Sequence, residues 1–347
     1  MLLACSDEHK LRGRAARASV LWSDAAPHVG PYWKRTPVTE YALAVDLGGT
    51  KVESALVDEH GAVLAASRHR RPTGSASTSE QLAAAVTGAV ADALAALPAD
   101  ARLAGAGIGS AGPIAGTSGD VSPLNLPAWR DYPLGGLVAG LLPHGVPVTL
   151  RMDGICITLA EIWTGAARGE ENVMGMIVST GVGGGLVLGG HVVTGRSGNA
   201  GHIGHVQVAG FDDLCACGAR GCLEAVASGP RSVAWARSEG FTGATGEDLA
   251  AAARTGDEVA RAAIERSATA VGRAIASASA LVDLDVVAIG GGFSHVADDY
   301  VALVQQAVSE HSDFAFVTST RVVASALSGE GPLVGAAALV HRRDLVV

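Results

Sequence analysis

Tyr41-Ala42-Leu43-Ala44-Val45-Asp46-Leu47-Gly48-Gly49-Thr50-Lys51-Val52-Glu53-Ser54-Ala55-Leu56-Val57 is the stretch from which the fold is read. Tyr41 to Val45 is an apolar run of strand length, and Val52 to Val57 is a second after a glycine turn, so the segment predicts a β-hairpin. Asp58-Glu59-His60-Gly61 is a turn-forming cluster, and a third strand is predicted from Ala62. The first turn carries chemistry as well as shape. Asp46, at a strand end, can hold a hydrated Mg²⁺, while Gly48, Gly49, Thr50 and Lys51 let backbone N–H groups and a cation approach a phosphate. Gly-Gly turns also serve ordinary hairpins, so this segment alone does not decide function.

Further along, Glu80 to Leu97 repeats apolar residues at helical spacing, and Gly105 to Gly109 has the look of a buried strand. Val173 to Ser179 and Gly185 to Leu188 predict another hairpin around Thr180-Gly181-Val182-Gly183-Gly184. Thr180, Gly181 and Gly183 suit the β- and γ-phosphates of a nucleotide approached from the opposite domain. Val286 to Ile289 ends at Gly290-Gly291-Gly292, a close backbone approach suited to adenosine. Two similar hairpin halves predict a duplicated α/β architecture with a cleft between them. A Rossmann dehydrogenase is excluded, because no Gly-x-Gly-x-x-Gly follows the first strand at a helix entry.

The 347 residues suit two medium domains. Hydrophobic residues make up 48% and charged residues 17%, ample apolar material for burial. A net charge of −9 disfavours nucleic acid as a partner, since phosphate backbones are bound through clustered Lys and Arg. No apolar run reaches the ~20 residues that span a bilayer, so a soluble protein without a membrane partner is expected. Residues 1–39 differ from the rest, with Lys10, Arg12, Arg14, Arg17, Lys34 and Arg35 against Asp7, Glu8 and Asp24. Lys10 to Val20 has the composition of a short basic helix, but about forty residues fall short of a DNA-binding domain plus linker. This leader is expected to be mobile or a misassigned start. Met1 to Cys5 has a superficial likeness to a lipoprotein cleavage box, but neither a basic segment nor an apolar core precedes it.

The five cysteines are unevenly placed: Cys215, Cys217 and Cys222 crowd together, while Cys5 and Cys156 stand apart. An odd, clustered count does not fit a secreted disulfide framework and favours a reducing cytoplasm. His205 with Cys215, Cys217 and Cys222 supplies one imidazole and three thiolates, the donor set of a closed, tetrahedral, structural Zn²⁺ site. Gly218 and Gly221 provide the tight turns that ligand convergence requires. Three free buried cysteines are the plainer alternative.

Asp46 to Lys51, Val178 to His205 and Cys215 to Glu224 together resemble the ROK family of repressors, open reading frames and sugar kinases. Val178-Ser179-Thr180-Gly181-Val182-Gly183-Gly184-Gly185-Leu186, then Gly195, then Gly201-His202-Ile203-Gly204-His205 satisfy the family's signature spacing. The resemblance covers Tyr41 to the C-terminus. It implies a two-domain actin-like ATPase fold, ribonuclease H-like in each half. Residues 40–150 plus 328–347 would form a small α/β domain and 151–327 a larger one with the zinc site. It also implies a cytoplasmic homo-oligomer, with a dimer favoured, that phosphorylates the 6-hydroxyl of a sugar from ATP and Mg²⁺.

Position by position, the resemblance implies that Asp153 is the base that removes the sugar hydroxyl proton. An N-cap for the following helix is the structural alternative for Asp153. His205 would face the sugar through the nitrogen not held by zinc, Glu224 would hold the ring near its anomeric end, and Gly112 and Asn125 would line the opposite wall. Two positions depart from the family pattern. Met152 stands where family kinases have an Asn, and His202 where they have a Glu, both expected to touch the sugar near C3 and C4. A pocket built for a hydroxyl discriminates against its absence, so a modified hexose such as the 3-amino sugar kanosamine is expected rather than plain glucose. Glucose, an N-acetylated hexosamine, and a non-catalytic sugar sensor of the same family remain the alternatives.

Overall fold

The structure, a computed structural model, describes residues 38–115, 118–327 and 329–346; the basic leader, up to residue 37, lies outside the described residues. Strands β1 (Glu40–Leu47) and β2 (Lys51–Asp58) form the predicted hairpin, with Val45 opposite Ser54 and Asp46 opposite Glu53. The third strand begins later than expected. A 3₁₀ turn at Ala65–Ser67 intervenes, and β3 (His69–Pro72) pairs antiparallel with β2. Ser67 accounts for the shift: its buried hydroxyl accepts from Leu56 N–H and donates to Leu64 C=O, closing a turn where Ala62 would have continued a strand.

Helix α1 (Ser79–Ala95) starts at a reciprocal cap, in which Thr78 and Gln81 each bond the other's backbone N–H. Its Leu82, Val86, Ala89, Val90 and Ala93, three or four residues apart, are buried against the hairpin. Strand β4 (Arg102–Ser110) runs parallel to β1, the short β5 (Ile114–Ala115) and β6 (Asp120–Val121) pair antiparallel, and α2 (Leu134–Ala139) precedes β7 (Val148–Met152). The first sheet has the order β3-β2-β1-β4-β7.

Helix α3 (Asp153–Trp163) leads from this sheet to the second. That sheet comprises β8 (Val173–Val178), β9 (Val182–Leu188), β10 (His191–Val192), β11 (Val286–Gly290) and β12 (Arg321–Ala324), in the order β10-β9-β8-β11-β12. Helices α4 (Leu223–Ala227), α5 (Gly229–Ser238), α6 (Gly246–Arg254) and α7 (Glu258–Val282) fill the β10–β11 crossover; α8 (Tyr300–His311) and α9 (Ala315–Thr318) precede β12. Helices α10 (Gly331–His341) and α11 (Arg343–Val346) close the chain's described part. The two sheets repeat one plan: three antiparallel strands, then two added parallel to the first. This is the duplication that the paired glycine turns predicted.

The glycine run after Thr180 has a packing role that its sequence hid. Gly183, Gly184 and Gly185 belong to β9 rather than to a loop. A side chain on Gly154, at the start of α3, would lie 2.2 Å from Gly184 C=O, so bare backbones are needed for α3 to lie on β9. On the other side of α3, a Cβ on Gly335 of α10 would sit 1.8 Å from Cys156 C=O. Helix α3 is thereby gripped between β9 and α10, and its first residue, Asp153, is fixed in place. Leu43, Val45 and Leu47 of β1 are fully buried, each contributing about 1.5–3 kcal/mol of hydrophobic free energy. Among the described residues no helix is long and apolar enough to cross a membrane.

Candidate active site

A cavity of about 680 Å³ opens between the two sheets. Three glycine turns reach it. Asp46, Gly48, Gly49, Thr50 and Lys51 come from the β1–β2 turn, Ser179 to Gly183 from the β8–β9 turn, and Gly290, Gly291 and Gly292 from the end of β11. Gly291 has φ +96°, and a Cβ there would meet Val178 C=O at 2.6 Å, so the chain can enter this turn only as glycine. Asn125 comes against Gly49 from the opposite wall: a Cβ on Gly49 would lie 2.8 Å from Asn125 Cβ.

Asp46 and Asp153 both line this cavity at the C-terminal end of the first sheet. Burial, with the charge of Asp153 added, pushes Asp46 up to about 7. Burial also raises Asp153, to about 6, against the Gly154 N–H that its Oδ1 accepts at 2.7 Å. Asp153 is the first residue of α3 and not its N-cap; Met152 takes that position without a side-chain bond. The remaining wall is formed by Gly112, His202, His205 and Glu224. Glu224 accepts from Val182 N–H at 3.0 Å, which ties the head of α4 to the β8–β9 turn. His202 and His205 meet edge to face at 4.7 Å, and burial together with His205 lowers the His202 pKa.

His205, Cys215, Cys217 and Cys222 converge, with one donor atom from each lying within 4.8 Å of the others. Cys215 Sγ stands 3.6 Å from His205 Nδ1 and Cys217 Sγ 3.7 Å from Cys222 Sγ. A tetrahedral zinc with bonds of ~2.3 Å to sulfur has edges of about 3.8 Å, so the donor set and spacing fit. Burial and the neighbouring sulfurs push Cys222 up to about 12, so a bound cation would be needed to hold it as a thiolate near neutral pH. Because Nδ1 is the nitrogen turned to the cysteines, Nε2 is left for the cleft.

A model of the ROK family matches residues 42–343. The chain belongs to the ROK family. It is 33% identical to the glucokinase of Thermotoga maritima over 318 residues, covering 87% of this chain and 97% of the relative. It is 35% identical over 273 residues to an N-acetylmannosamine kinase of Escherichia coli O9:H4, covering 77% and 88% respectively. Among solved structures, the ROK glucokinase of Streptomyces griseus with glucose and AMPPNP superposes with a TM-score of 0.75 at 30% identity, over 87% of this chain and 99% of that one. The two sheets and their cleft are accordingly those of the two-domain actin-like ATPase fold of ROK sugar kinases.

One expected contact is misplaced. Met152 is absent from the lining of the ROK cleft; it is 1% exposed and packs in the core of the first sheet, with its sulfur 3.2 Å from where a Cβ on Gly112 would lie. Strand parity explains this: Val148, Leu150 and Met152 share the face of β7 that turns to the core. Three further features escaped the sequence. Glu53, opposite Asp46 in the hairpin register, is buried and accepts from Lys51 Nζ at 2.8 Å, Arg68 Nε at 2.6 Å and Arg70 Nη2 at 3.1 Å, which fixes Lys51 at the cleft. Its even spacing from the motif was the available signal. A second cavity of about 380 Å³ adjoins Ser179, Thr180 and Gly292, with Pro230, Val233, Ala244, Ala250 and Phe293 among its walls. Pro230 and Val233 sit on α5, Ala244 just before α6, Ala250 on α6 and Phe293 on the 3₁₀ turn after β11, and no sequence motif joins them. The third is Asn199, whose carboxamide bonds the backbone of Ile114 across the cleft.

Proposed function

We propose that this ROK protein transfers the γ-phosphoryl group of ATP to the 6-hydroxyl of a hexose or aminosugar, with Asp153 as general base. The observation that carries this is the place of Asp153. It is a carboxylate raised to about 6, fixed at the head of α3, in one cavity with the glycine turns and with Glu224, His202 and His205. In the transfer, the sugar oxygen forms a bond to the γ-phosphorus, the bond from that phosphorus to the β–γ bridging oxygen breaks, and the hydroxyl proton passes to Asp153. Asp46 would hold Mg²⁺, which when bound neutralises charge between the phosphates. The β1–β2 and β8–β9 turns would seat the phosphates, and the apolar second cavity beside Thr180 and Gly292 would take the adenine ring. The division of lobes proposed is 40–150 with 328–347 against 151–327, supported by the packing of α10 on β1 and β4.

For the sugar, His202 is the pocket residue that sets this chain apart, since Met152 is buried in the core of the first sheet. A neutral His202 can accept a hydrogen bond from an amine or an amide N–H. We therefore favour a hexose carrying a nitrogen substituent, either a 3-amino sugar such as kanosamine or an acetamido sugar like that named for the N-acetylmannosamine kinase relatives. The test is ADP release at saturating MgATP with glucose, kanosamine, N-acetylmannosamine and N-acetylglucosamine. The reading expects a nitrogen-bearing sugar to exceed glucose in kcat/KM by at least ~10-fold. Glucose as best substrate would return the protein to a glucokinase, and sugar binding without turnover would make it a sensor.

A further inference from the structure

Asn199, in the loop after β10 of the second sheet, makes two hydrogen bonds to the backbone of Ile114 on β5, which belongs to the other side of the cleft. Ile114 N–H donates to Asn199 Oδ1 at 2.8 Å, and Asn199 Nδ2 donates to Ile114 C=O at 2.8 Å. The carboxamide offers the donor and acceptor that a neighbouring strand would offer, so it occupies the free edge of the β5–β6 hairpin. Its orientation is forced, because an amide N–H can only donate and a carbonyl can only accept. The second Nδ2 proton is also used, on Ser197 C=O at 3.1 Å, so the loop that carries Asn199 is braced from behind.

The pair sits beside the wall assigned to the sugar. Gly112 is two residues before Ile114 and His202 three after Asn199, and both line the cleft. A Cβ on Gly112 would lie 3.6 Å from Asn199 Oδ1 and 3.6 Å from His202 Nε2. Whatever fixes Ile114 to Asn199 therefore fixes how Gly112 and His202 meet in that wall.

We propose that Asn199 is a positioning residue: its two bonds to Ile114 join the lobes at the sugar side of the cleft and hold Gly112 and His202 against each other in the wall assigned to the sugar. This rests on the sugar-kinase reading. Asn199 itself has both its polar atoms occupied by protein and acts through these two neighbours. Opening the cleft at this side breaks both bonds together, and closing it restores them in one register only.

The decisive variant is Asn199→Asp, which keeps the shape and the acceptor but sets a carboxylate oxygen against the Ile114 carbonyl. Its KM for the best sugar is expected to rise about 10-fold, with KM for ATP within twofold of wild type. Asn199→Ala is the second variant, and hydrogen exchange at the Ile114 amide the second readout. Saturating sugar should slow that exchange in the wild type, and the effect should be lost in Asn199→Ala. Unchanged sugar KM in Asn199→Asp, or equal rises in both KM values, would overturn the proposal even if the wild type is an active kinase. A wild-type chain that neither binds nor phosphorylates any sugar of the panel would remove the kinase reading, and the positioning role with it.

Discussion

Asp46 and Asp153 stand at the same end of one sheet, two strands apart with Gly109 in the strand between, and the charge of Asp153 adds to burial in holding Asp46 up to about 7. The two carboxylates are unequal partners. Lys51 lowers Asp46, while the charge of Glu224 adds to burial in raising Asp153. A divalent cation at Asp46 would relieve the repulsion, and in the proposed transfer Asp153 would then be the proton acceptor.

Asp153→Asn is expected to lower kcat by about two orders of magnitude or more while ATP affinity stays near that of wild type, as for loss of a general base. The sign of the pH effect follows from the raised value of about 6. Below that pH Asp153 is protonated and cannot accept, so kcat/KM for the sugar should fall by ~10-fold per pH unit. Above it the profile should level off. A profile flat from pH 5 to 8, with an active Asp153→Asn enzyme, would require another base.

One equivalent of zinc per chain is expected, held by His205, Cys215, Cys217 and Cys222. Removal by a strong chelator, or Cys217→Ser, should lower the melting temperature by ~5 °C or more, because metal binding and local folding are coupled. Cys217 is the exposed member of the four, so its substitution leaves no core cavity to confuse the result. Elemental analysis of purified protein that finds no zinc, with normal activity, would leave the cluster as three free thiols.

His202→Glu and Met152→Asn should separate cleanly. His202→Glu is expected to shift kcat/KM toward glucose by about 10-fold relative to the nitrogen-bearing sugar. Met152→Asn, at a fully buried position, should instead cost about 1–3 kcal/mol of stability with little change of preference, since it buries an amide in an apolar core. Steady-state kinetics on the two sugars, beside a denaturant titration, tells these outcomes apart. A change of preference in Met152→Asn would place that side chain back in the pocket.

Ala244→Phe tests the nucleoside end. Ala244 is exposed at the rim of the second cavity, so a ring there fills space without disturbing the core. KM for ATP is expected to rise ~10-fold or more with KM for the sugar unchanged. No change in KM for ATP would move the adenine elsewhere.

The sequence by itself determined the two hairpins, the three glycine turns that reach the cleft and the His205–Cys222 tetrad. Each is a local pattern: apolar alternation, glycine at a fixed offset, ligands close along the chain. The family followed from the same patterns, since its signature spans neighbouring residues. What tertiary structure decided lies between elements distant in the chain. Met152 and Asp153 are neighbours in sequence, yet strand parity buries the first and the start of α3 turns the second into the cleft. Gly184, a turn residue by its sequence, belongs to β9 and is the floor on which α3 rests, because the partner that excludes a side chain, Gly154, is thirty residues away. Glu53, the second cavity and the Asn199–Ile114 pair carry no local motif. Glu53 meets its cations through the pairing of β2 with β3, and the second cavity arises from the packing of α5 and α6 beside the end of β11. The Asn199–Ile114 pair forms when the two sheets come together, since a hydrogen bond spanning 85 residues has no period or spacing by which the sequence could announce it.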